Sequence, residues 1–598
     1  MNHNLFSKVL LFASLWLSSM AAVTTFTACS DSNDDEPGSV STENAGITNP
    51  SWSGDVLLGA QGQTYNLTFT AAGDWTITND CDWIALSTTS GKAGNAVVMA
   101  TAKANNTDEN REGVITLRVK GYPQTTIKFI QPFSEGEEAT GVNAWVRNYM
   151  ESHYLWNEPI PSLRISNSLN ASQYLNAILA GVDANDHLNH DDGHWVGGKR
   201  EYYYSWIEAS AARSRAGEQV LGSGVMYMEP TYISQDNYSV GLIVSLVCPG
   251  SPAAEAGLYR GALITAVDGA SINVNNYEDM GEKVYDGNCT ISWSEVTFDA
   301  DGYPTITSKG TLNLKQSRFN DVSVYMSKVL EFDNGPKVAY MLYNSFDYAY
   351  DNQLITAFSK YKEMGITDLI LDLRYNPGGH VISSLLMGTL IAGQQHKGEI
   401  YGRSVYNATR MQTTAPGDYK LGDPVTPEMP NGYDKITEGL ANCVGLTTVY
   451  VICSETTASA SELVINGLRG VGIDVRLLGT TTNGKNCGME SIEKTFGSYT
   501  YVLCPITFYI ENAKGFKDYA DGFKPDFEFD DSELYPGDFG TVDDFLTKAA
   551  LLWIVNGTKP TVSTNSRALG NNSGRHLTLK DSPISKRRLK GAIMLPTE

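Results

Sequence analysis

Cysteine is scarce in this chain, with eight residues in 598, and the eight are scattered without a single Cys-x-x-Cys pair. That spacing excludes a zinc ribbon and a dithiol redox site. Basic residues are also short: 44 Lys and Arg stand against 67 Asp and Glu, a formal net charge of −23. A nucleic-acid surface is excluded on this ground, because phosphate binding relies on clustered cations. The one basic cluster, Lys586, Arg587, Arg588 and Lys590, falls in a tail of low apolar content. After residue 22 no run is long and apolar enough to span a membrane.

What is present begins with a targeting segment. Lys8, an apolar run from Val9 to Ala22 and small residues up to Ala28 read as a secretory signal over residues 1–28. Phe26-Thr27-Ala28-Cys29 resembles a bacterial lipobox, which implies lipidation at Cys29; ordinary cleavage beside an incidental cysteine is the alternative. Residues 29–49 carry Asp31, Asp34, Asp35, Glu36 and Glu43 with no Lys or Arg, the composition of a solvated tether. Acidic residues just after Cys29 resemble the surface-export signal of some Gram-negative lipoproteins. The expected location is the cell envelope, as an outer-membrane lipoprotein exposed outside. Without Cys29 seven cysteines remain, so at least one is unpaired within a monomer.

The chain divides into several domains by pattern. Residues 50–132 alternate Val, Leu, Ile and Thr with polar residues between Gly and Asn turns, which predicts a β-sandwich. Trp75, Trp83-Ile84-Ala85-Leu86-Ser87, Ser90-Gly91, Asn105, Arg111-Glu112-Gly113 and Ile127 to Gln131 resemble a BACON domain. That resemblance implies glycan or mucin contact, or a spacer; Trp75 and Trp83 are expected in the core rather than as a sugar platform. Residues 138–216 turn helical, with Val142, Trp145, Val146, Tyr149 and Met150 on one face and Tyr174, Leu175, Ile178 and Leu179 on another. The loop Asp183 to His194 holds three histidines and four aspartates, but in no standard metal spacing, and is expected to be solvated with no metal.

Residues 217–300 contain Gly222-Ser223-Gly224-Val225 and the run from Ser251 to Asp268. They resemble the PDZ domains of bacterial processing proteases. By that resemblance Gly222, Ser223, Gly224 and Val225 form a loop whose N–H groups take a peptide C-terminal carboxylate, over a groove built from Val225, Leu242 and Ile243. The substrates implied are proteins or peptides with apolar C-termini.

From Lys337 onward apolar strands alternate with helices, predicting an α/β domain with its site at the strand ends. Thr448 to Cys453 reads as a strand leading into a helix at Ser459, where the Ala460 N–H faces an anion. Ser459, Lys485 and Pro377-Gly378-Gly379 supply a nucleophile, a base and oxyanion donors. Asp372 to Gly379, Ala458 to Glu462, Gly479 to Lys485 and Asp521 to Asp526 resemble the core of the C-terminal processing (tail-specific) peptidases of family S41. The resemblance implies Ser459 as nucleophile, Lys485 as general base, and Gly378 or Gly379 with Ala460 as the oxyanion hole.

A lysine base has to fall from roughly 10.4 to about 7, a change of about 4 kcal/mol that burial can supply. His380 beside the glycine turn is the alternative base, without a companion carboxylate fixed by any motif, and Ser461 is expected on another helix face. Met489 stands where the family usually has a glutamine orienting the lysine, and the Ser459 to Lys485 interval of 26 residues is slightly long. Even spacing predicts Met489 and Lys485 on one strand face. Cys487 is expected to be a small core residue.

The reading is a multidomain chain: BACON-like β-sandwich, helical segment, PDZ-like β/α domain and α/β protease core of ClpP/crotonase-like form over residues 301–556, with a tail at 557–598. Its expected function is a lipid-anchored serine endopeptidase with a Ser459–Lys485 dyad and no cofactor. A non-catalytic surface lipoprotein that binds glycan or peptide, with a degenerate peptidase core, is the alternative.

Overall fold

The computed structural model describes residues 45–561 and 594–595, except 60–61, 104, 106–109, 133–138, 140, 187–191, 197–198, 211–218, 235–237, 300–303, 334, 425–432 and 532–534. The signal segment, Cys29, most of the tether and the basic cluster of the tail lie outside the described residues. Among the described residues no helix is long and apolar enough to cross a membrane.

Strict alternation builds the first unit. Arg111–Val119 buries Gly113, Ile115, Leu117 and Val119 and turns the intervening side chains outward, as period-two patterning requires. A four-stranded and a five-stranded sheet enclose Leu67, Phe69, Val98, Leu117 and Phe129. Trp75 and Trp83 are only 5% and 7% exposed, so both belong to this core and form no open platform.

Two helices follow, α1 (Gly141–His153) and α2 (Ala171–Asp186). Val146 and Met150 from the first, and Tyr174, Leu175, Ile178 and Leu179 from the second, are buried as the periodicity predicts. They pack on Cys487, Met489, Leu503, Cys504 and Ile506 of the last third of the chain, so this helical layer is a wall of the core domain.

The PDZ-like unit is a sheet in which β1 (Val225–Tyr232) pairs with β2 (Val240–Val247), continued by Leu263–Val267, Cys289–Phe298 and Pro304–Leu314, with helix α3 (Tyr277–Asp286) packed against it. The sheet thus continues beyond residue 300. Nearly every residue of Pro304–Leu314 is exposed, which removes the apolar alternation that marks a strand in sequence.

The core sheet runs β3 (Val324–Glu331), β4 (Lys337–Tyr343), β5 (Asp368–Asp372), β6 (Thr448–Cys453), β7 (Asp474–Gly479) and β8 (Phe527–Glu528), with β3 antiparallel and the rest parallel. Its two faces have separate cores. Ala339, Met341, Leu371 and Val451 pack on α4 (Asp351–Met364), α5 (Val381–Ala392) and α6 (Ala460–Gly470). Tyr340, Leu342, Ile370 and Ile452 face α7 (Phe545–Asn556) and the PDZ residues Met226, Tyr227 and Leu246. Parallel strands covered on both sides explain the near-continuous apolar runs in the sequence. The carboxyl ends of β5 and β6 are where the candidate site forms.

Candidate active site

β6 ends at Cys453, and six residues later the chain enters α6 with Ser459 at its N-cap. Ser459 has φ 63° and ψ −115°, a left-handed conformation that a side chain adopts only when its surroundings impose it. The imposing bonds are visible: Thr457 Oγ1 donates to the Leu373 carbonyl at 2.8 Å, and Ser461 Oγ to the Asn376 carbonyl at 2.9 Å. Ser461 is thereby spent on the turn after β5. Ser459 Oγ is buried and has no hydrogen-bond partner among the described residues, an uncommon state for a hydroxyl and a costly one unless used.

The glycine turn lies against this serine. A Cβ on Gly378 (φ +107°) would come within 2.8 Å of Ser459 Cβ and 3.0 Å of the Ala460 nitrogen. Its N–H donates to Asn376 Oδ1 at 2.9 Å, and its carbonyl accepts from Phe346 N–H. The N–H groups of Gly379 and Ala460 have no partner among the described residues. Of the two glycines the sequence offered, Gly379 therefore keeps a donor for an oxyanion and Gly378 supplies close approach.

Glu462 joins the pieces. Its carboxylate is fully buried, and Oε2 accepts from the N–H groups of Ser459 (2.8 Å) and Lys485 (2.9 Å), while Oε1 accepts from Thr482 Oγ1 (2.6 Å) and Gly484 N–H (2.7 Å). Serine-bearing and lysine-bearing backbones are thus two hydrogen bonds apart. Burial pushes this carboxyl up to about 7 despite the four donors. Gly484 (φ +91°) passes so close to Ala520 that a Cβ would lie 2.0 Å from its carbonyl oxygen, which is why glycine is needed beside the lysine.

Lys485 is 1% exposed, and burial lowers its ammonium to about 8, opposed by Cys487, Asp192, Cys504 and Glu462. The chain therefore moves this lysine most of the way to a neutral-pH base by desolvation. Nζ lies 4.4 Å from the centroid of the Tyr204 ring. His380 Nδ1 is 3.0 Å from the Phe346 carbonyl oxygen, an arrangement in which Nδ1–H donates, and it makes no bond to Ser459.

Three expectations need correction. Asp192 is buried, not solvated: Oδ1 accepts from Tyr204 and Ser205 N–H at 2.9 and 3.0 Å, and Oδ2 from Tyr154 OH at 2.7 Å. Residues 187–191 of that loop lie outside the described residues. Lys485 does not share a strand with Met489, because the strand begins at Cys487; Met489 instead packs in the apolar layer under α1 and α2. The PDZ loop, finally, is closed. Gly222, Ser223, Gly224 and Val225 are buried, Ser223 N–H donates to the Tyr285 carbonyl of α3 at 3.0 Å, and Val225 N–H to Ser223 Oγ at 3.2 Å. Val225 and Leu242 are fully buried core and Ile243 is 6% exposed, so none lines an open groove.

Sequence reasoning named Glu462 in a motif and Asp192 in a loop without placing either at the lysine, and passed over Tyr204. Glu462 stands three residues after an N-cap serine, a capping-box spacing that could have flagged it. For Asp192 and Tyr204 no local signal exists, since only folding brings them to the lysine.

Comparison with known proteins agrees with this layout. Residues 337–529 match the family model for peptidase family S41, residues 141–206 the S41 N-terminal domain, residues 243–288 a PDZ domain, and residues 73–131 BACON, described as an N-terminal binding domain. A carboxyl-terminal-processing protease of Picosynechococcus is 26% identical over 248 residues, 41% of this chain and 50% of the relative. The chain spans about half the length of that curated relative. A crystal structure from Bacteroides fragilis described as an S41 protease superimposes with a TM-score of 0.56 at 24% identity, covering 69% of this chain and 97% of the other, a likeness of fold. Read in chain order, the chain matches the models of a BACON domain, an S41 N-terminal domain, a PDZ domain and, across its core sheet, peptidase family S41.

Proposed function

We propose that this chain is a lipid-anchored serine endopeptidase that selects protein C-terminal tails and hydrolyses peptide bonds with Ser459 and Lys485. The observation that carries the proposal is the single carboxylate oxygen of Glu462 holding both the Ser459 and the Lys485 N–H, next to an unbonded serine hydroxyl and a lysine lowered by burial. In the reaction neutral Lys485 takes the Ser459 proton as Oγ attacks the carbonyl carbon. The oxyanion is received by the Gly379 and Ala460 N–H groups, and the ammonium returns its proton to the departing amine.

Tail selection rests on the PDZ match alone. An amidated peptide should bind more weakly than its free acid; equal affinity would remove carboxylate capture. Anchoring rests on Cys29, and Cys29→Ala should release the protein to the soluble fraction. Glycan contact through the BACON unit remains a finer proposal that draws no support from Trp75 or Trp83, both core residues.

The deciding assay is cleavage of an unfolded protein together with serine-reactive phosphonate labelling. Ser459→Ala should lose both, and Lys485→Ala should lose cleavage, each with its fold intact. Full cleavage by either variant rejects the dyad, and no cleavage by the wild-type chain leaves the non-catalytic binding reading.

A further inference from the structure

The lysine is seated by a residue from outside the core. Tyr204 leads into the strand Trp206–Ser210, which pairs with Tyr499–Cys504 and ties the helical layer to the core. Its ring is pinned at both ends. The hydroxyl donates to Asn483 Oδ1 at 2.9 Å, two residues before the lysine, and the backbone N–H donates to buried Asp192. Asp192 is itself fixed by Ser205 N–H and Tyr154 OH. Behind them, Asn407 Nδ2 donates to the Tyr154 carbonyl at 2.8 Å, and Ile506 N–H to Ser205 Oγ at 2.9 Å. A ring held by this many bonds presents one fixed face, and Nζ of Lys485 lies over it.

We propose that Tyr204, fixed by Asp192 and Asn483, is a positioning residue for Lys485 whose ring face holds the ammonium that forms when the amine takes the Ser459 proton. The proposal rests on the Ser459–Lys485 reading. An aromatic face attracts the charged amine and not the neutral one, and does so more strongly where water is excluded. The ring therefore acts at the moment charge appears: the Oγ–H bond breaks, the N–H bond forms, and the new cation lies on a surface already in place. It also opposes burial, so that the amine is not driven too low to accept a proton. Charge from Cys487 and Cys504 on their strands, from Asp192, and from Glu462 at the start of α6 also favours the ammonium. None of them presents an aromatic face.

The test uses the full chain with phenylalanines of increasing ring fluorination at position 204, which keep the volume and weaken only the negative face. Two readouts are followed: the pH dependence of kcat/KM for peptide cleavage, and the carbon NMR titration of Lys485, assigned by its loss in Lys485→Met. Tyr204→Phe should leave the titration midpoint in place. Fluorination should lower it stepwise by about one pH unit in total. Tyr204→Leu should lower kcat about tenfold with KM within about twofold. If Tyr204→Leu does not fold, the fluorinated series still decides. A midpoint unmoved across the series overturns the proposal. Should the wild-type chain neither cleave nor take a phosphonate, the peptidase reading fails, and the NMR titration alone judges the seat.

Discussion

Lys485 makes opposite demands on stability and on chemistry. Burial holds its ammonium near 8 in the folded chain, against roughly 10.4 when unfolded. Between those values the unfolded chain keeps a proton that the folded chain has lost, so folding gains as pH rises through that window. Lys485→Met should therefore stabilise the protein at pH 7, by on the order of 1–3 kcal/mol, with the difference closing towards pH 10 in parallel denaturation curves. Cleavage by the wild type should rise with pH through about 8 as the amine becomes neutral. Glu462 makes a second case. Glu462→Gln replaces an acceptor of four hydrogen bonds with a group that can accept at one oxygen only. Turnover should fall about tenfold to a hundredfold, the effect of 1–3 kcal/mol, with KM little changed; unaltered kcat would show that the clamp does not align the dyad.

At the scale of elements the site is a junction of two turns. The turn after β5 and the turn before α6 interlock through Thr457, Ser461 and Asn376, leaving room for hydrogen alone on Gly378. Gly378→Ala would place a methyl against Ser459 Cβ in a conformation side chains avoid. A displacement near 1 Å at a nucleophile costs about a hundredfold, so peptide cleavage should drop by at least that while circular dichroism stays unchanged. The PDZ element shows how sequence can mislead at this scale. Its glycine loop has the composition of a carboxylate cradle, yet the end of α3 already occupies one of its donors.

Across the whole molecule, one buried ionic network joins the PDZ unit to the core. Arg374, at the end of β5, binds Asp372 (2.8 Å), Asp531 (2.6 Å) and Asp544 (2.7 Å), the last being the N-cap of α7. Arg260 of the PDZ unit reaches the same Asp544 at 3.4 Å and donates to Tyr375 OH. Burial alone would raise Asp544, but Arg374 and Arg260 bring it down to about 2. Its contribution is present above the ordinary carboxylate value near 3.9 and is lost as pH falls from there towards 2. Arg374→Met should cost about 3–5 kcal/mol, because it strands buried carboxylates without their partner; urea unfolding curves measure it.

Local signals in the sequence determined much of this. Apolar runs between helical stretches marked the core sheet, alternation marked the sandwich, and the motifs around Ser459, Lys485 and Gly378-Gly379 marked residues that the fold brings to one place. Such features are written in neighbouring residues, because strand, helix and tight turn each impose a short period or a glycine. Only the tertiary structure decided which glycine keeps a free N–H, that Met489 belongs to the layer under α1 and α2, and that Asp192 and Tyr204 stand at the lysine. Hydrogen-bond partners and buried charges far apart in the chain leave no periodic trace, since their meeting depends on how whole layers pack.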